Sequence, residues 1–272
     1  MLRFQVLGPL EVFDGDRMCT PTPPKVSRVL ALLLLRANQV VSMDSLIEEL
    51  WGEHPPLSAT GTAQTYIYQL RKFLDPRSQR AGGAEWLITK PPGYLTLVSP
   101  HQLDATAFEA MSRRGRQLLE AGEPEPAAQL LRRALDLWKG SSLANVQRGT
   151  LLEAHAVHLE EQRMRTLELR IQADAELGQH RDLIGELRSL VAIHPLNEWF
   201  HGQLIVALSH SGRRGDALRA YQGLRRVLND QLGLDPQPEL QRLQQAVLGG
   251  NRPDMVAFAP YRRVPSAASI GS

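Results

Sequence analysis

Residues 61–75 read GTAQTYIYQLRKFLD, and placed on a helix this stretch has two faces of different character. One face is apolar at the spacing i, i+4, i+7 and i+11, which is typical of a helix that packs on a core. The residues of that apolar face are Ala63, Ile67, Leu70 and Leu74. The opposite face consists of Thr65, Tyr68, Gln69 and Lys72, with Gln64 and Arg71 at its edges. This polar face lacks the glutamates that a merely solvated helix usually carries, so its hydrogen-bonding groups need another explanation.

The segments before this stretch predict short strands and two more helices. RFQVLGPLEVF (3–13) alternates in hydrophobicity and is interrupted by a Gly-Pro pair, as strands joined by turns are. A strongly apolar helix is expected from Lys25 to Ala37. VSMDSLIEELWG (41–52) is expected to form the next helix, with Ser42 as its N-cap and Gly52 at its end.

The segment after the stretch predicts a β-hairpin. In WLITKPPGYLTLV (86–98), two strand-like runs flank Pro91-Pro92-Gly93. Strands, three helices and a hairpin follow one another in the order of a winged helix-turn-helix domain. In such a domain the third helix needs an apolar back for docking and polar groups in front for base edges and phosphates.

From about Pro100 the strand signals stop and a helical repeat begins. Gly178 and Gly212 open similar segments that lie 34 residues apart, and Gly122 opens a third copy. A period of 34 residues is typical of tetratricopeptide repeats, whose helical hairpins bury their apolar faces against one another. The sequence therefore predicts an α+β winged helix-turn-helix domain followed by an all-α tetratricopeptide-like helical-repeat domain. The predicted boundaries are 1–99 for the first domain, 100–249 for the second, and 250–272 for a Gly-, Pro- and Ser-rich disordered tail.

Composition places few limits on function, whereas the distribution of charge is informative. The chain has 272 residues and a net charge of only +2, but residues 60–90 alone carry +3. The single cysteine, Cys19, excludes an internal disulfide and fits a cytoplasmic protein. The longest apolar run has 7 residues (29–35), far below the length of a membrane span, so no membrane association is expected.

Motifs of catalysis, metal binding and cofactor binding are lacking in the sequence. Walker A, GxGxxG, GxSxG and HExxH patterns do not occur, so an enzyme is the least favoured interpretation and no cofactor is predicted. His155 and His158 share one helix face near Glu153 and Glu161, but a helix surface explains them better than a metal site does. No metal ligands are therefore assigned.

Several motifs in combination resemble the Streptomyces antibiotic regulatory proteins. LGPLEV, ELWGEHPP, YIYQLRKFLD and the PPGYLTL hairpin look like an OmpR-type winged helix. The helical part, ending in GLDPQPEL, looks like the bacterial transcriptional activator domain. The likeness covers about residues 1–250, and the chain resembles the short form of the family, without a receiver domain or an ATPase module.

The resemblance implies a DNA-binding transcriptional activator of a secondary-metabolite, or antibiotic, gene cluster. Such proteins bind direct repeats near the promoter −35 region, as homodimers on DNA, and recruit RNA polymerase holoenzyme through its sigma factor. Carried over by position, the recognition helix and the wing supply the expected contacts to double-stranded promoter DNA. These residues are Thr62, Gln64, Thr65, Tyr68, Gln69, Arg71, Lys72, Lys90 and Tyr94.

Two other functions remain open from the sequence. The helical repeats suit a protein-interaction adaptor in which the N-terminal half is only a scaffold. A small-molecule sensor in the helical half is a further alternative, but no clustered polar set supports it. The basic front of the 61–75 helix discriminates against the adaptor, which has no need of such a surface.

Overall fold

The computed structural model describes residues 2–74 and 86–250. The chain divides into two compact units, which we describe separately. The first unit takes its residues from Met1–Arg113 and Arg132–Thr166, and the second from Arg114–Leu131 and Leu167–Ser272. The predicted tail, residues 250–272, lies outside the described residues except for Gly250. The predicted domain boundaries remain a prediction, since compact units and sequence homology need not divide a chain at the same place.

The first unit begins with a small antiparallel sheet. Its three strands occur in the order β1-β2-β3, with Phe4 opposite Val12 in the β1–β2 register. Both of these side chains are buried, as the alternating sequence predicts. The strands are β1 (Leu2–Gln5), β2 (Glu11–Asp14) and β3 (Arg17–Met18).

Three helices follow, and each of them contributes buried side chains to the apolar core of this unit. The first helix is almost entirely buried and ends two residues before the predicted Ala37. Ser42 caps the second helix by accepting a hydrogen bond from the Ser45 N–H, and Gly52 ends it with a positive φ of 61°, both as predicted. The helices are α1 (Pro24–Leu35), α2 (Met43–Trp51) and α3 (Ala59–Leu74).

A second sheet forms the wing, and one of its strands differs from the sequence prediction. Val40 and Val41 were assigned to no strand by their sequence pattern, yet they form β4 (Val40–Ser42) beside the predicted hairpin, in the order β4-β6-β5. Gly93 is required at this position because a Cβ there would lie 1.9 Å from the Val41 carbonyl oxygen. The hairpin strands are β5 (Leu87–Lys90) and β6 (Gly93–Thr96).

Apart from an isolated parallel bridge between Leu103 and Phe4, the described secondary structure after residue 100 is helical, and the predicted repeat is visible in its turns. Gly122, Gly178 and Gly212 each adopt a positive φ in the turn between two consecutive helices. In all three turns the following N–H bonds to the carbonyl five residues back, which is the Schellman ending that glycine favours. The helices are α4 (Asp104–Glu120), α5 (Pro124–Leu135), α6 (Thr150–Glu176), α7 (His180–Ile193), α8 (Glu198–His210), α9 (Arg214–Leu232) and α10 (Pro238–Leu248).

Within the second unit, α8 is buried between α7 and α9. A buried guanidinium joins α6 to α7 in the same unit, because Arg170 of α6 donates to the carboxylates of Asp174 on α6 and Glu186 on α7. Arg170 is 7% and Asp174 3% exposed. Each charge therefore has a partner, without which its burial would be strongly unfavourable.

A buried carboxylate joins α2 to the start of α6 within the first unit. Glu49 is 2% exposed, and its two oxygens accept hydrogen bonds from the N–H groups of Gly149, Leu151 and Leu152 at 2.6, 3.0 and 3.0 Å. These are N–H groups that a helix start leaves without an internal partner. Arg28 donates to the Glu49 carbonyl oxygen at 3.2 Å, so the backbone that presents the carboxylate is also fixed.

We expect Glu49→Ala to lower the free energy of unfolding by about 3 kcal/mol, because it leaves three N–H donors without an acceptor in a buried setting. Urea denaturation followed by circular dichroism measures the change. Glu48→Ala is the matched control, since that neighbouring side chain is exposed and should tolerate the change within about 0.5 kcal/mol. A loss below about 1 kcal/mol for Glu49→Ala would contradict the assigned role.

A second carboxylate, that of Asp104, accepts hydrogen bonds from the N–H groups of Val6 and Leu7. Burial raises the pKa of this carboxyl from 3.8 to about 6, although these hydrogen bonds oppose the shift. A raised carboxyl pKa means that the folded state binds the proton more tightly than the unfolded state does. The resulting stability is present below about pH 4 and is lost as the pH rises through 6.

We therefore expect wild-type protein to gain about 2 kcal/mol relative to Asp104→Asn when the pH falls from 7 to 4. Parallel urea titrations of both proteins at several pH values measure this difference. Asp44→Asn changes an exposed carboxylate and serves as the control with little pH-dependent difference. A stability difference between wild type and Asp104→Asn that stays constant from pH 4 to 7 would rule out the titration.

Candidate nucleic-acid interface

The α3 helix docks through the stripe that its sequence predicts. Ala63, Ile67, Leu70 and Leu74 are all at most 5% exposed. They belong to one continuous apolar core with α1 and α2, against which α3 packs. The predicted docking face is thus confirmed, and it fixes which side of α3 is turned to solvent.

The solvent side of α3 carries neutral hydrogen-bonding groups and one lysine, and residues 59–74 contain no acidic residue. Tyr68 is 65% exposed, which is high for an aromatic side chain. Thr62 is half-buried at the edge of this surface. We define the reading face as the fully exposed predicted residues of α3: Gln64, Thr65, Tyr68, Gln69 and Lys72.

Two residues in the first turns of α3 are linked by a hydrogen bond. The Thr65 hydroxyl donates to the Gly61 carbonyl at 2.9 Å. Gly61 itself has no heavy atom within 4 Å of the position where a Cβ would be. The sequence prediction did not include Gly61, although a glycine in a helix without a packing reason is a signal in its own right.

The structure gives Arg71 a role different from the predicted DNA contact. Its guanidinium donates to the Leu87 carbonyl at 3.1 Å and to the Thr89 hydroxyl at 2.8 Å. It also lies 5.9 Å from the centre of the Tyr94 ring. Arg71 therefore ties α3 to the wing, and Thr89 is a partner that the sequence prediction missed because the two residues are 18 positions apart.

Tyr94, which the sequence predicts as a DNA contact from the wing, is largely buried in the structure. Tyr94 is 8% exposed and belongs to the core of the first unit. Its neighbour in the hairpin, Lys90, is exposed and stays a candidate for contact with the DNA backbone. Tyr94 also pairs with Val41 of β4, a strand that the sequence pattern did not reveal, and its contact with DNA stays a prediction.

The histidines considered as metal ligands have protein partners instead. The His155 ring nitrogen accepts from Arg36 at 3.4 Å, and His158 bonds Gln162 at 2.9 Å. Burial, assisted by Arg36, lowers the pKa of His155. Across residues 2–74 and 86–250, no three His, Cys, Asp or Glu side chains are grouped as a metal site requires. In the same ranges, no helix combines the length and apolarity needed to cross a membrane.

Two family models match this chain, and together they cover most of it. The model described as transcriptional regulatory protein, C terminal, matches residues 19–94. The bacterial transcriptional activator domain matches residues 103–248, which is more than half of the chain. The regulatory protein DnrI of Streptomyces peucetius is 38% identical over 99% of both chains.

The chain belongs to the Streptomyces antibiotic regulatory protein family. Members of this family are transcriptional regulators, and the DNA-binding and activator regions of the family are both present here. The regulatory protein AfsR of Streptomyces coelicolor is 39% identical over 91% of this chain, which corresponds to 24% of AfsR. The chain therefore aligns with about a quarter of that longer relative.

A solved structure of a relative shares the fold. The structure of Mycobacterium tuberculosis EmbR in complex with a low-affinity phosphopeptide is 32% identical, with a TM-score of 0.87. The match covers 94% of this chain and 67% of the EmbR chain. The predicted fold class of this family member, a winged helix-turn-helix followed by an all-helical region, is thereby confirmed.

We expect Arg71→Lys to loosen the wing, because a single ammonium group cannot bond Leu87 and Thr89 with the geometry of the guanidinium fork. Hydrogen exchange measured by mass spectrometry should show faster exchange in peptides that cover 86–96. Lys72→Arg, a conservative change at the exposed neighbour, should leave those peptides unchanged. Equal wing protection in wild type and Arg71→Lys would show that the bridge does not hold the wing.

Proposed function

We propose that this chain activates transcription of a secondary-metabolite gene cluster by binding direct repeats that overlap or adjoin a promoter −35 region. It then recruits RNA polymerase holoenzyme through the sigma factor. Two protomers bind adjacent repeats head to tail and pair on the DNA. The names of the relatives support the regulatory role, since DnrI and RedD are both described as regulators.

The reading face of α3 is the observation that carries the DNA-binding part of this proposal. Gln64 and Gln69 can each form two hydrogen bonds with an adenine. Thr65 can hydrogen-bond a base edge or contact the methyl group of thymine. Lys72 can bond phosphate or guanine. The face is acid-free, so it does not repel the phosphate backbone as an ordinary solvated helix would.

The helical repeats supply the surface for protein partners in this proposal. Their hairpins form a regular array in which α7, α8 and α9 pack side by side. Such arrays present extended surfaces to other proteins. The adaptor interpretation uses the same surface, but it leaves the acid-free reading face without a purpose.

We expect Lys72→Ala to weaken binding to all duplexes by a similar factor and to reduce the slope of log affinity against log salt by about 1, as loss of one phosphate contact does. Fluorescence anisotropy with promoter duplexes over 50–300 mM salt measures both. Arg188→Ala is the control. It removes one positive charge from an exposed side chain of α7 and should leave the slope unchanged. An unchanged slope for Lys72→Ala would remove this residue from the interface.

The triple substitution Thr65→Ala, Gln69→Ala and Lys72→Ala tests the reading face as a whole. We expect footprints at the promoter repeats to disappear, because base contacts of about 1–3 kcal/mol each are lost together. Circular dichroism establishes that the variant is folded. Unchanged protection of the repeats would show that α3 is not the recognition helix, and lack of any gel shift by wild-type protein at physiological salt would favour the adaptor.

A further inference from the structure

A hydrogen bond within α3 limits the hydrogen-bonding groups that Thr65 can offer to DNA. A threonine hydroxyl has one hydrogen to donate and two lone pairs that accept. Here the hydrogen is used within the helix, because it is donated to the Gly61 carbonyl at 2.9 Å. The exposed surface of Thr65 therefore offers a methyl group and an acceptor, but not a donor.

Gly61, one turn before Thr65, has no side chain to cover the helix backbone at that position. A Cβ at Gly61 would meet nothing within 4 Å, and its φ is not in the left-handed region, so the fold does not require glycine there. Glycine is less favourable than alanine in a helix, so its presence carries a stability cost. Positions i and i+4 share one helix face, so the bare position lies beside Thr65.

We propose that Gly61 and Thr65 form a thymine-reading notch, in which the Thr65 methyl packs on the 5-methyl group of a thymine while Gly61 lets the backbone approach the DNA closely. Thymine is the base that presents a methyl group in the major groove, and threonine is one of the side chains that contact it. The inference rests on the proposed DNA-binding function and adds which base feature this part of the reading face recognises.

The experiment first obtains a binding site and then removes single methyl groups from it. Wild-type full-length protein selects a duplex from a randomised pool, and each thymine of that duplex is replaced in turn by deoxyuridine, which pairs identically but lacks the 5-methyl group. We expect one replacement to weaken binding about 4-fold, the factor that corresponds to one buried CH₂ group. If no single replacement weakens binding, the proposal is overturned.

Two conservative variants test whether Thr65 is the residue that contacts the thymine methyl group. Thr65→Ser keeps the hydroxyl and loses the methyl, so it should bind the thymine and deoxyuridine duplexes equally. Thr65→Val keeps a methyl and loses the hydroxyl, so it should retain the 4-fold preference. The reverse pattern, in which Thr65→Val loses the preference and Thr65→Ser keeps it, would show that the hydroxyl reads the base and would overturn the proposal.

Gly61→Ala tests the close approach independently of the methyl contact. We expect this variant to melt at a higher temperature than wild type and yet bind the selected duplex at least 4-fold more weakly. Gly223→Ala is the matched control, since Gly223 also lies in a helix with nothing within 4 Å of its Cβ position. The control should gain stability without losing affinity, whereas full affinity in Gly61→Ala would overturn the notch.

Failure of this inference is distinguishable from failure of the proposed function. If wild-type protein enriches no duplex from the pool, DNA recognition itself is refuted. If it enriches a duplex whose thymine methyl groups do not matter, sequence-specific binding stands and only the thymine-reading notch is overturned.

Discussion

The buried carboxylate of Glu49 is the interaction on which the arrangement of the first unit depends. It satisfies three backbone N–H groups at the start of α6, and the positive end of that 27-residue helix favours the negative charge. Arg28 holds the same backbone from α1, so one buried group fixes α2 against two other helices. Because α3 packs on α1 and α2, the orientation of the reading face depends on this position.

Hydrogen bonds between polar groups that are far apart in the sequence could not be predicted from sequence patterns. The local features were predictable, since the apolar stripe of α3, the Ser42 cap and the glycine turns of the repeats depend on residues a few positions apart. The bonds from Glu49 and Asp104 link residues about 100 positions apart. Nothing in the periodicity of either segment identifies such partners.

At the candidate site too, features set by neighbouring residues were predictable and contacts between distant residues were not. Which residues of α3 face solvent follows from the helical period, and the structure agrees for the reading face. The sequence pattern did not reveal the surroundings of Arg71 and Tyr94, because the Arg71 partners are 16 and 18 positions away and the three-residue strand β4 is too short to show alternation. In the structure Tyr94 lies opposite Val41 of β4, and the Arg71 guanidinium lies 5.9 Å from the centre of its ring.

Arg71 and Lys72 are adjacent in sequence but differ in what they contribute to the charge of the interface. The Arg71 guanidinium is engaged by the wing, whereas Lys72 remains exposed on α3. Counting basic residues therefore overestimates the phosphate contacts of one recognition helix. If α3 reads DNA as proposed, a protomer with so few free charges would depend on neutral groups such as Gln69 and Tyr68, because base contacts specify sequence but add little general affinity. In the proposed function, two protomers pair on adjacent repeats, and such pairing would offset this weakness because the second protomer binds at a high effective concentration.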